Sequence, residues 1–279
     1  SRCFLYSDGV LVGTDEYVNG MTSFGSSSLN IGGFADFNRL PSTVDDVRLY
    51  NTALTEAEVR ALADTAPSSS LVGHWKFDEG SNNNAADSSG NGANGTLMNS
   101  PSWTSGILGS ALTFNGTNRV SIPNQASWTT PSSKYTVAFW VKVNDIRDYA
   151  GVVAAGNWGT RALEIMTTAN QWSARINTSG DWGCDVVSTT PLGYLQSVDN
   201  NFHHVAVVLD TTASRCFLYS DGVLVGTDEY VNGMTAFGSS SLNIGGFADA
   251  NRLPSTVDDV RFYNTALTEA EIRALATPP

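Results

Sequence analysis

Carboxylate and amide side chains carry the clearest chemical signal in this sequence. Residues 86–95 read ADSSGNGANG and place Asp87 and Asn91 in one flexible polar loop. A hard cation such as Ca²⁺ takes about six to eight oxygen ligands, from carboxylates and from the loop carbonyls that Gly and Asn leave free. The loop therefore predicts part of a calcium site. A different interpretation needs no ion, because Asp87 would then form an Asx turn with its own backbone.

Asp258 is the third candidate calcium ligand. Residues 257–262 read VDDVRF, and in a regular strand Asp258 would face the same side as Val260 and Phe262. A carboxylate that faces a hydrophobic core is costly unless it is paired or bound to a metal. We therefore predict that Asp258 coordinates the ion. Without an ion, it would accept backbone hydrogen bonds.

Aromatic and polar side chains predict a sugar-binding surface. A sugar ring has an apolar face that stacks on aromatic rings and a rim of hydroxyls that need hydrogen-bonding groups. Two glycine-rich segments carry tryptophans, and one strand alternates polar with apolar residues. The predicted ligand-binding residues are Trp158, Arg161, Arg175, Asn177 and Trp182. In the alternative interpretation, the tryptophans only pack over the ends of the fold.

Catalytic residues are not predicted. A glycosidase needs two carboxylates directed at one bond, and the sequence has no Glu-x-Asp-x-x-Glu run of the kind that sandwich glucanases place on one strand. The three histidines, His74, His203 and His204, lack zinc-ligand spacing, and His203 and His204 lie in a predicted core strand, where a structural role fits better.

The charge balance limits the choice of partners. The chain has 279 residues, of which 15 are Lys or Arg and 27 are Asp or Glu, so its formal net charge is -12. Binding to nucleic acid or to an anionic membrane requires clustered Lys and Arg, and here they are scattered singly. No apolar run approaches the roughly 18 residues of a membrane span. We therefore predict no nucleic-acid partner and no membrane insertion.

Short strands dominate the predicted secondary structure. Segments such as YTVAFWVKV, RALEIMT and HHVAVVLD are separated by clusters of Gly, Asn, Asp, Ser and Thr. Asp221 and Gly222 predict a tight hairpin turn. Thr268 and Glu271 predict a capping box at the start of a helix. The pattern predicts an all-β fold, an antiparallel β-sandwich or jelly roll with one short C-terminal helix.

Residues 1–63 recur as residues 214–276. The two segments align without a gap, and four of 63 positions differ: Ser23/Ala236, Phe37/Ala250, Leu49/Phe262 and Val59/Ile272. We interpret the chain as a piece of a tandem array cut out of phase. Residues 1–66 would be the C-terminal third of a preceding repeat, 67–70 a linker and 71–279 a complete domain. Such arrays are typical of extracellular scaffolds and of polysaccharide-processing assemblies.

A series of motifs along residues 71–276 resembles a known family. In order, they are LVGHWKFDEG, ADSSGNGANGTL, GSALTFNGTNRVSIP, YTVAFWVKV, FHHVAVVLD, CFLYSDGVLVG, LNIGG and VDDVRFYNTALTEAEIRAL. They resemble the bacterial laminin G-like domains, which are concanavalin A-like jelly rolls. Residues 1–63 match the final third of the same domain.

The resemblance implies a function as well as a fold. Members of this family are mostly non-catalytic modules of secreted enzymes, adhesins and surface proteins, and they bind carbohydrate or other surface ligands, often with structural calcium. Their first and last strands are neighbours, which would bring Asp258 close to the loop of Asp87.

We therefore predict a lectin-like, non-catalytic, calcium-stabilised module of a secreted or cell-surface tandem-repeat protein, with a polysaccharide or glycoconjugate as its partner. One alternative is a structural or adhesive repeat that makes mainly protein–protein contacts. Another is a polysaccharide hydrolase or lyase, which would need a carboxylate pair or a His–Tyr couple in a cleft.

The three cysteines follow the repeat. Cys3 and Cys216 are equivalent, so in an oxidising compartment Cys184 and Cys216 would pair and Cys3 would stay free. Buried reduced thiols are the alternative.

Residues 1–63 form only a third of a sandwich and would expose unpaired strand edges. We expect this segment to dock where residues 214–276 would, on residues 71–213 of its own chain or of a neighbour. A homo-oligomer or a strand-swapped contact would follow.

Overall fold

The computed structural model describes residues 2–7, 10–16, 47–50, 52–55, 58–59, 70–125, 128, 134–156, 162–178, 181–189, 199–210, 213–229, 241–248 and 251–278. The chain divides into two compact units, residues 1–64 and residues 65–279.

The first unit contains one described hairpin. Its strands are β1 (Arg2–Ser7) and β2 (Val10–Glu16), which pair antiparallel with a bulge between Leu5 and Tyr6.

The second unit contains sixteen described strands and one helix. The strands are β3 (Leu71–Trp75), β4 (Asn84–Ala85), β5 (Gly95–Met98), β6 (Ser102–Ser105), β7 (Ser110–Phe114), β8 (Arg119–Ile122), β9 (Lys134–Val143), β10 (Ala150–Ala155), β11 (Leu163–Thr168), β12 (Gln171–Thr178), β13 (Asp181–Val187), β14 (His203–Asp210), β15 (Arg215–Ser220), β16 (Val223–Glu229), β17 (Leu242–Ile244) and β18 (Ser255–Tyr263). The helix is α1 (Glu269–Leu275).

Two antiparallel sheets form the sandwich. Sheet I has the strand order β13-β12-β11-β10-β17-β8-β5-β4. Sheet II has the order β16-β15-β14-β9-β18-β7-β6, and β3 also pairs with β18. The predicted all-β sandwich is confirmed, and so is the predicted adjacency of the first and last strands of this unit.

The core lies between the two sheets and has an aromatic centre. Phe262 is fully buried on β18 and stacks on Tyr135 of β9, with ring centroids 5.7 Å apart. Trp128 packs against Phe262 at 5.3 Å and against Trp75 at 5.9 Å. Each such ring contributes a large buried apolar area, so these residues fix how the first and last strands meet.

A disulfide joins the two sheets at one edge. Cys184 of β13 in sheet I is bonded to Cys216 of β15 in sheet II, and both are buried. Gly226 of β16 lies close to the same edge, since a Cβ atom there would come within 2.6 Å of the Val187 carbonyl oxygen. The edge therefore needs both a covalent link and a residue without a side chain.

The predicted local signals of the C-terminal segment are confirmed. Asp221 and Gly222 both have positive φ, 49° and 74°, at the turn between β15 and β16. Thr268 caps α1 and forms a capping box with Glu271. Ile272 is fully buried in a cluster on the outer face of sheet II, which fastens α1 to that sheet.

The prediction that side chains alternate regularly between the two faces of β18 is wrong. Asp259 has a φ of 48°, and the register with β9 shifts between Asp258 and Arg261. As a result Val257 and Val260, three positions apart, both lie in the core. A bulge inserts one residue and reverses the facing of everything beyond it.

Helix α1 has seven residues. In the described part of the chain, no helix is long and apolar enough to cross a membrane.

Candidate functional site

A row of polar side chains crosses one face of sheet I. Residues directly opposite each other on neighbouring strands place their side chains on the same face of a sheet. Seven of the eight aligned positions are polar, and we call this set the polar row. Its members, from edge to edge, are Asn84, Thr96, Ser121, Asn243, Ala154, Glu164, Arg175 and Asp185.

Charged residues occupy one end of the polar row. Arg175 Nε donates a hydrogen bond to Asp185 Oδ1 at 2.9 Å, and the guanidinium carbon lies 5.8 Å from the ring centroid of Tyr149. Glu164, on the other side of Arg175, is fully buried. Tyr149 keeps 48% of its surface exposed, so an aromatic ring beside the charged groups faces solvent.

Amides and hydroxyls occupy the other end. Asn243 Oδ1 accepts a hydrogen bond from Arg119 Nε at 3.1 Å, and its Nδ2 donates to the Ser241 carbonyl at 3.2 Å. Both bonds fix the amide, which is only 2% exposed. Thr96 and Asn84 continue the row as exposed side chains.

The chemistry of the polar row suits binding better than bond cleavage. Its carboxylates, Glu164 and Asp185, lie on either side of Arg175, which pairs with Asp185. A glycosidase needs one carboxyl kept protonated and a second one free to attack or to activate water. Here Asp185 is paired with Arg175, and Glu164 is fully buried.

The structure describes the side chain of only one of the five ligand-binding residues that the sequence predicted. Arg175 lies in the polar row. Trp158 and Arg161 fall outside the described residues. Asn177 and Trp182 oppose each other in the register of β12 and β13, but their side chains lie outside the described part. The alternation of polar and apolar residues was the only sequence signal for the row.

The predicted calcium ligands Asp87 and Asn91 lie in a hydrogen-bonded loop. Asp87 Oδ1 accepts from the amides of His74 and Ser89, and Oδ2 from the Ala93 amide and the Ser89 hydroxyl, each at 2.9 Å. Burial raises the pKa of Asp87, but these hydrogen bonds outweigh it and lower the pKa below its ordinary value. The bond to the Ser89 amide is the Asx turn of the interpretation without an ion.

Asn91 takes part in the same loop. Its Nδ2 donates to the Leu71 carbonyl at 3.0 Å and to the Ser89 hydroxyl at 3.0 Å. These bonds hold the loop against the start of β3.

Asp258 differs from Asp87, because half of its carboxylate has no partner. It is fully buried, and its Oδ2 accepts from the Leu108 amide at 2.9 Å, in the turn between β6 and β7. Its Oδ1 is buried and has no hydrogen-bond partner among the described residues. Burial raises the pKa of Asp258 to about 6. Asp258 therefore bonds to a different segment from Asp87 and Asn91.

The described residues hold one group of three side chains with metal-ligating atoms within 4.8 Å of one another. It consists of Cys184, Cys216 and Asp228. The two sulfur atoms are bonded to each other in the disulfide that links the sheets, so they are not available as thiolate ligands.

The histidines have structural partners. His74 Nε2 lies 2.6 Å from Asp259 Oδ1, and Arg261 binds the other oxygen at 3.0 Å, which joins β3 to β18. His204 is buried edge-on against Trp140, with ring centroids 5.3 Å apart, and desolvation lowers its pKa to about 4.

His203, next to His204 in β14, is only partly buried. Asp221 hydrogen-bonds to its Nδ1 at 2.8 Å and Asp199 to its Nε2 at 3.0 Å. The bond to Asp221 is the main cause that raises the pKa of His203 to about 9.

Sequence comparison agrees with this architecture. The laminin G-like family model described as the concanavalin A-like lectin/glucanases superfamily matches residues 3–60 and 114–273. The chain belongs to this superfamily. The match includes the first copy of the repeated segment as well as the second. The sequence has no match among curated proteins.

Several solved structures share the fold of this superfamily member. The binding domain of Paraclostridial Mosquitocidal Protein 1 has a TM-score of 0.60 and 17% identity, over 75% of this chain and 52% of that one. This chain thus spans about half of that structure.

Two other similar structures contain sugars. Domain 4 of AbnA, a GH43 extracellular arabinanase from Geobacillus stearothermophilus in complex with arabinotriose, has a TM-score of 0.55 and 20% identity, over 75% of this chain and 98% of that one. The binding domain of botulinum neurotoxin DC in complex with SialylT has a TM-score of 0.57 and 13% identity, over 75% and 51%. At these identities the likeness establishes the jelly-roll fold.

Proposed function

We propose that this protein is a non-catalytic, lectin-like module that binds a polysaccharide or glycoconjugate across the polar row of sheet I. The observation that carries the proposal is that both ends of the polar row reach solvent. Asp185 and Arg175 lie at one end, beside the half-exposed ring of Tyr149, and Thr96 and Asn84 are exposed at the other. A saccharide chain offers a matching series of hydroxyls and apolar ring faces.

The similar structures support a sugar ligand. The arabinanase domain is in complex with arabinotriose and the neurotoxin binding domain is in complex with SialylT, and both share the fold of this chain. The buried Cys184–Cys216 disulfide supports a secreted or cell-surface location, because disulfides persist in oxidising compartments.

A calcium ion at Asp258 is a further part of the proposal. The test of fit is the buried Oδ1 of Asp258, which lacks a hydrogen-bond donor, because a cation would satisfy it. Asp87 fits less well, since both of its oxygens already accept two hydrogen bonds each. When bound, the ion would neutralise the Asp258 carboxylate and stabilise the turn that contains Leu108.

A glycan array tests the proposed function. The full chain is applied in calcium and again in EDTA. Binding to one class of polysaccharide in either buffer supports the module, and loss in EDTA adds a role for the ion in ligand binding. Absence of binding to any glycan in both buffers contradicts the proposal.

A structural or adhesive repeat is the second candidate. It is favoured by the hairpin of the first unit, whose Phe4, Leu5 and Val12 are each more than half exposed at 54%, 66% and 58%. Apolar exposure of this extent on a strand pair is typical of a surface that contacts protein.

A further inference from the structure

The two sheets are joined along one side of the sandwich, where β13 ends sheet I and β16 ends sheet II. The disulfide between Cys184 and Cys216 is one connection. The next residue makes a second one, because the Asp185 amide donates a hydrogen bond to Asp228 Oδ2 at 2.9 Å. We call the contacts of β13 and the residues directly after it with β15 and β16 the edge contacts.

The edge contacts continue beyond Asp185. The amide and the hydroxyl of Thr189 both donate to the Val225 carbonyl, at 2.7 Å and 3.2 Å. Gly226 lies so close to the Val187 carbonyl oxygen that a Cβ atom would come within 2.6 Å of it. Sheet II therefore fixes β13 on one side, while β12 pairs with it on the other.

Asp185 belongs both to the edge contacts and to the polar row. Its side chain accepts from Arg175 Nε at 2.9 Å, on the face that we propose for the glycan. Its backbone amide points the other way, out of the edge of the sheet. Since β13 is the terminal strand of sheet I in the described part of the chain, this amide needs an acceptor from elsewhere, and Asp228 provides it.

Asp228 is well placed to fix this strand. It pairs in register with Cys216, and one of its carboxylate oxygens lies within 4.8 Å of both sulfur atoms of the disulfide. An ionised acceptor makes a shorter and stronger hydrogen bond than a neutral one. Asp228 is partly buried and lies on sheet II, so it is not a member of the polar row.

We propose that Asp228 is a positioning residue for the glycan site. From sheet II it fixes the backbone of Asp185, and the Asp185 carboxylate in turn orients the Arg175 guanidinium beside the ring of Tyr149. This inference rests on the proposed function, because it names a residue that sets the affinity of that same site. Loss of the Asp228 side chain should loosen the charged end of the polar row while every group of the row is still present.

Exchange of the Arg175 Nε proton with solvent reports this positioning without any ligand. It is measured by NMR on the full chain labelled with ¹⁵N, and Asp185→Ala gives the rate for complete loss of the bond. Asp228→Ala should accelerate the exchange by about threefold or more, since it removes the acceptor that fixes Asp185. Asp228→Asn keeps an oxygen that can accept from the same amide, so its rate should stay close to that of wild type.

Thr189→Val is the matched control. It removes the hydroxyl bond to Val225 from the same edge contacts but leaves Asp185 and Asp228 in place. Exchange of the Arg175 Nε proton should be unchanged in this variant. A general loosening of the edge would instead accelerate exchange in Thr189→Val as much as in Asp228→Ala, and would overturn the inference.

Glycan binding gives the second measurement, with the glycans that wild type retains on the array. Asp228→Ala should lower the affinity by about three- to tenfold, and Asp228→Asn should recover most of it. In the Arg175→Ala background, Asp228→Ala should cause little further loss, because both changes act through one guanidinium. Circular dichroism confirms that each variant is folded.

The two measurements separate a failure of this inference from a failure of the proposed function. Absence of glycan binding by wild type contradicts the proposed function, whereas the exchange rate of the Arg175 Nε proton still decides whether Asp228 positions Asp185. A wild-type exchange rate in folded Asp228→Ala overturns the inference. An affinity loss in Asp228→Ala that adds in full to that of Arg175→Ala also overturns it, as does a loss of the same size in Asp228→Asn.

Discussion

Asp258 accepts a hydrogen bond from the Leu108 amide at 2.9 Å through one oxygen, while its other oxygen is buried without a partner among the described residues. The bond ties β18 to the turn between β6 and β7. It also leaves a carboxylate whose charged form the fold penalises, which makes Asp258 the most informative position for the calcium proposal.

Asp258→Asn should stabilise the protein in EDTA and abolish its response to calcium. The pKa of Asp258 is raised to about 6 from 3.8, so its carboxylate destabilises the fold increasingly as pH rises from about 4 through 6. At pH 7.5 the neutral amide should raise the free energy of unfolding by roughly 1–3 kcal/mol. Denaturant unfolding in EDTA and in calcium measures both effects.

The control for this variant is Asp145→Asn, because Asp145 forms an exposed ion pair with Arg147. This control should change neither the free energy of unfolding in EDTA nor the response to calcium. A destabilised Asp258→Asn in EDTA, or one that calcium still stabilises as much as wild type, would contradict the assignment.

His203 should make the protein lose stability in mild alkali. Its folded pKa is raised to about 9 from 6.5, chiefly by the hydrogen bond to Asp221. A base with a raised pKa stabilises the fold fully below pH 6.5, and this contribution is lost as pH rises through 9. The melting temperature should therefore fall between pH 7 and 10, and His203→Gln should flatten that part of the profile. An unchanged slope in the variant would show that other groups cause it.

Removing the disulfide should destabilise the second unit. In the double variant C184S/C216S the free energy of unfolding should fall by about 3 kcal/mol, since the bond closes a loop with a sequence separation of 32 residues. Cys3→Ser is the control and should have little effect, because Cys3 is exposed and free. Equal losses in the two variants would be inconsistent with this account.

Phe262→Leu should cost about 1–2 kcal/mol of unfolding free energy, because it removes ring contacts with Tyr135 and Trp128 from the core. The matched change Leu49→Phe lies where the equivalent side chain is 76% exposed and should be nearly neutral. Denaturant titration of both variants compares the two copies directly. A neutral Phe262→Leu would indicate that the core readjusts without loss.

Signals confined to a few residues predicted the structure well. The Asp221–Gly222 turn and the Thr268–Glu271 capping box depend on neighbours in the chain, so the sequence alone identifies them. The bulge at Asp259 gave no such signal, because it accompanies a shift in the register of β18 against β9, and strand register depends on tertiary pairing.

The polar row was mostly beyond sequence reasoning. Arg175 could be placed on a polar face by its alternation with buried neighbours. Its partner Asp185 and the distant Asn243 join the same row only through strand register, which tertiary pairing determines. Asn243 and Ala154 lie opposite each other although 89 residues separate them, the difference between 243 and 154.

The central claim is that sheet I binds a glycan through the polar row, and Arg175→Ala tests it most directly. The variant is compared with wild type and with Arg215→Ala, whose arginine pairs with Glu229 on sheet II, for binding to the glycans that wild type retains on the array. The account predicts an affinity lower by about tenfold or more for Arg175→Ala, with unchanged binding for Arg215→Ala and unchanged circular dichroism for both. Wild-type affinity in a folded Arg175→Ala would contradict it.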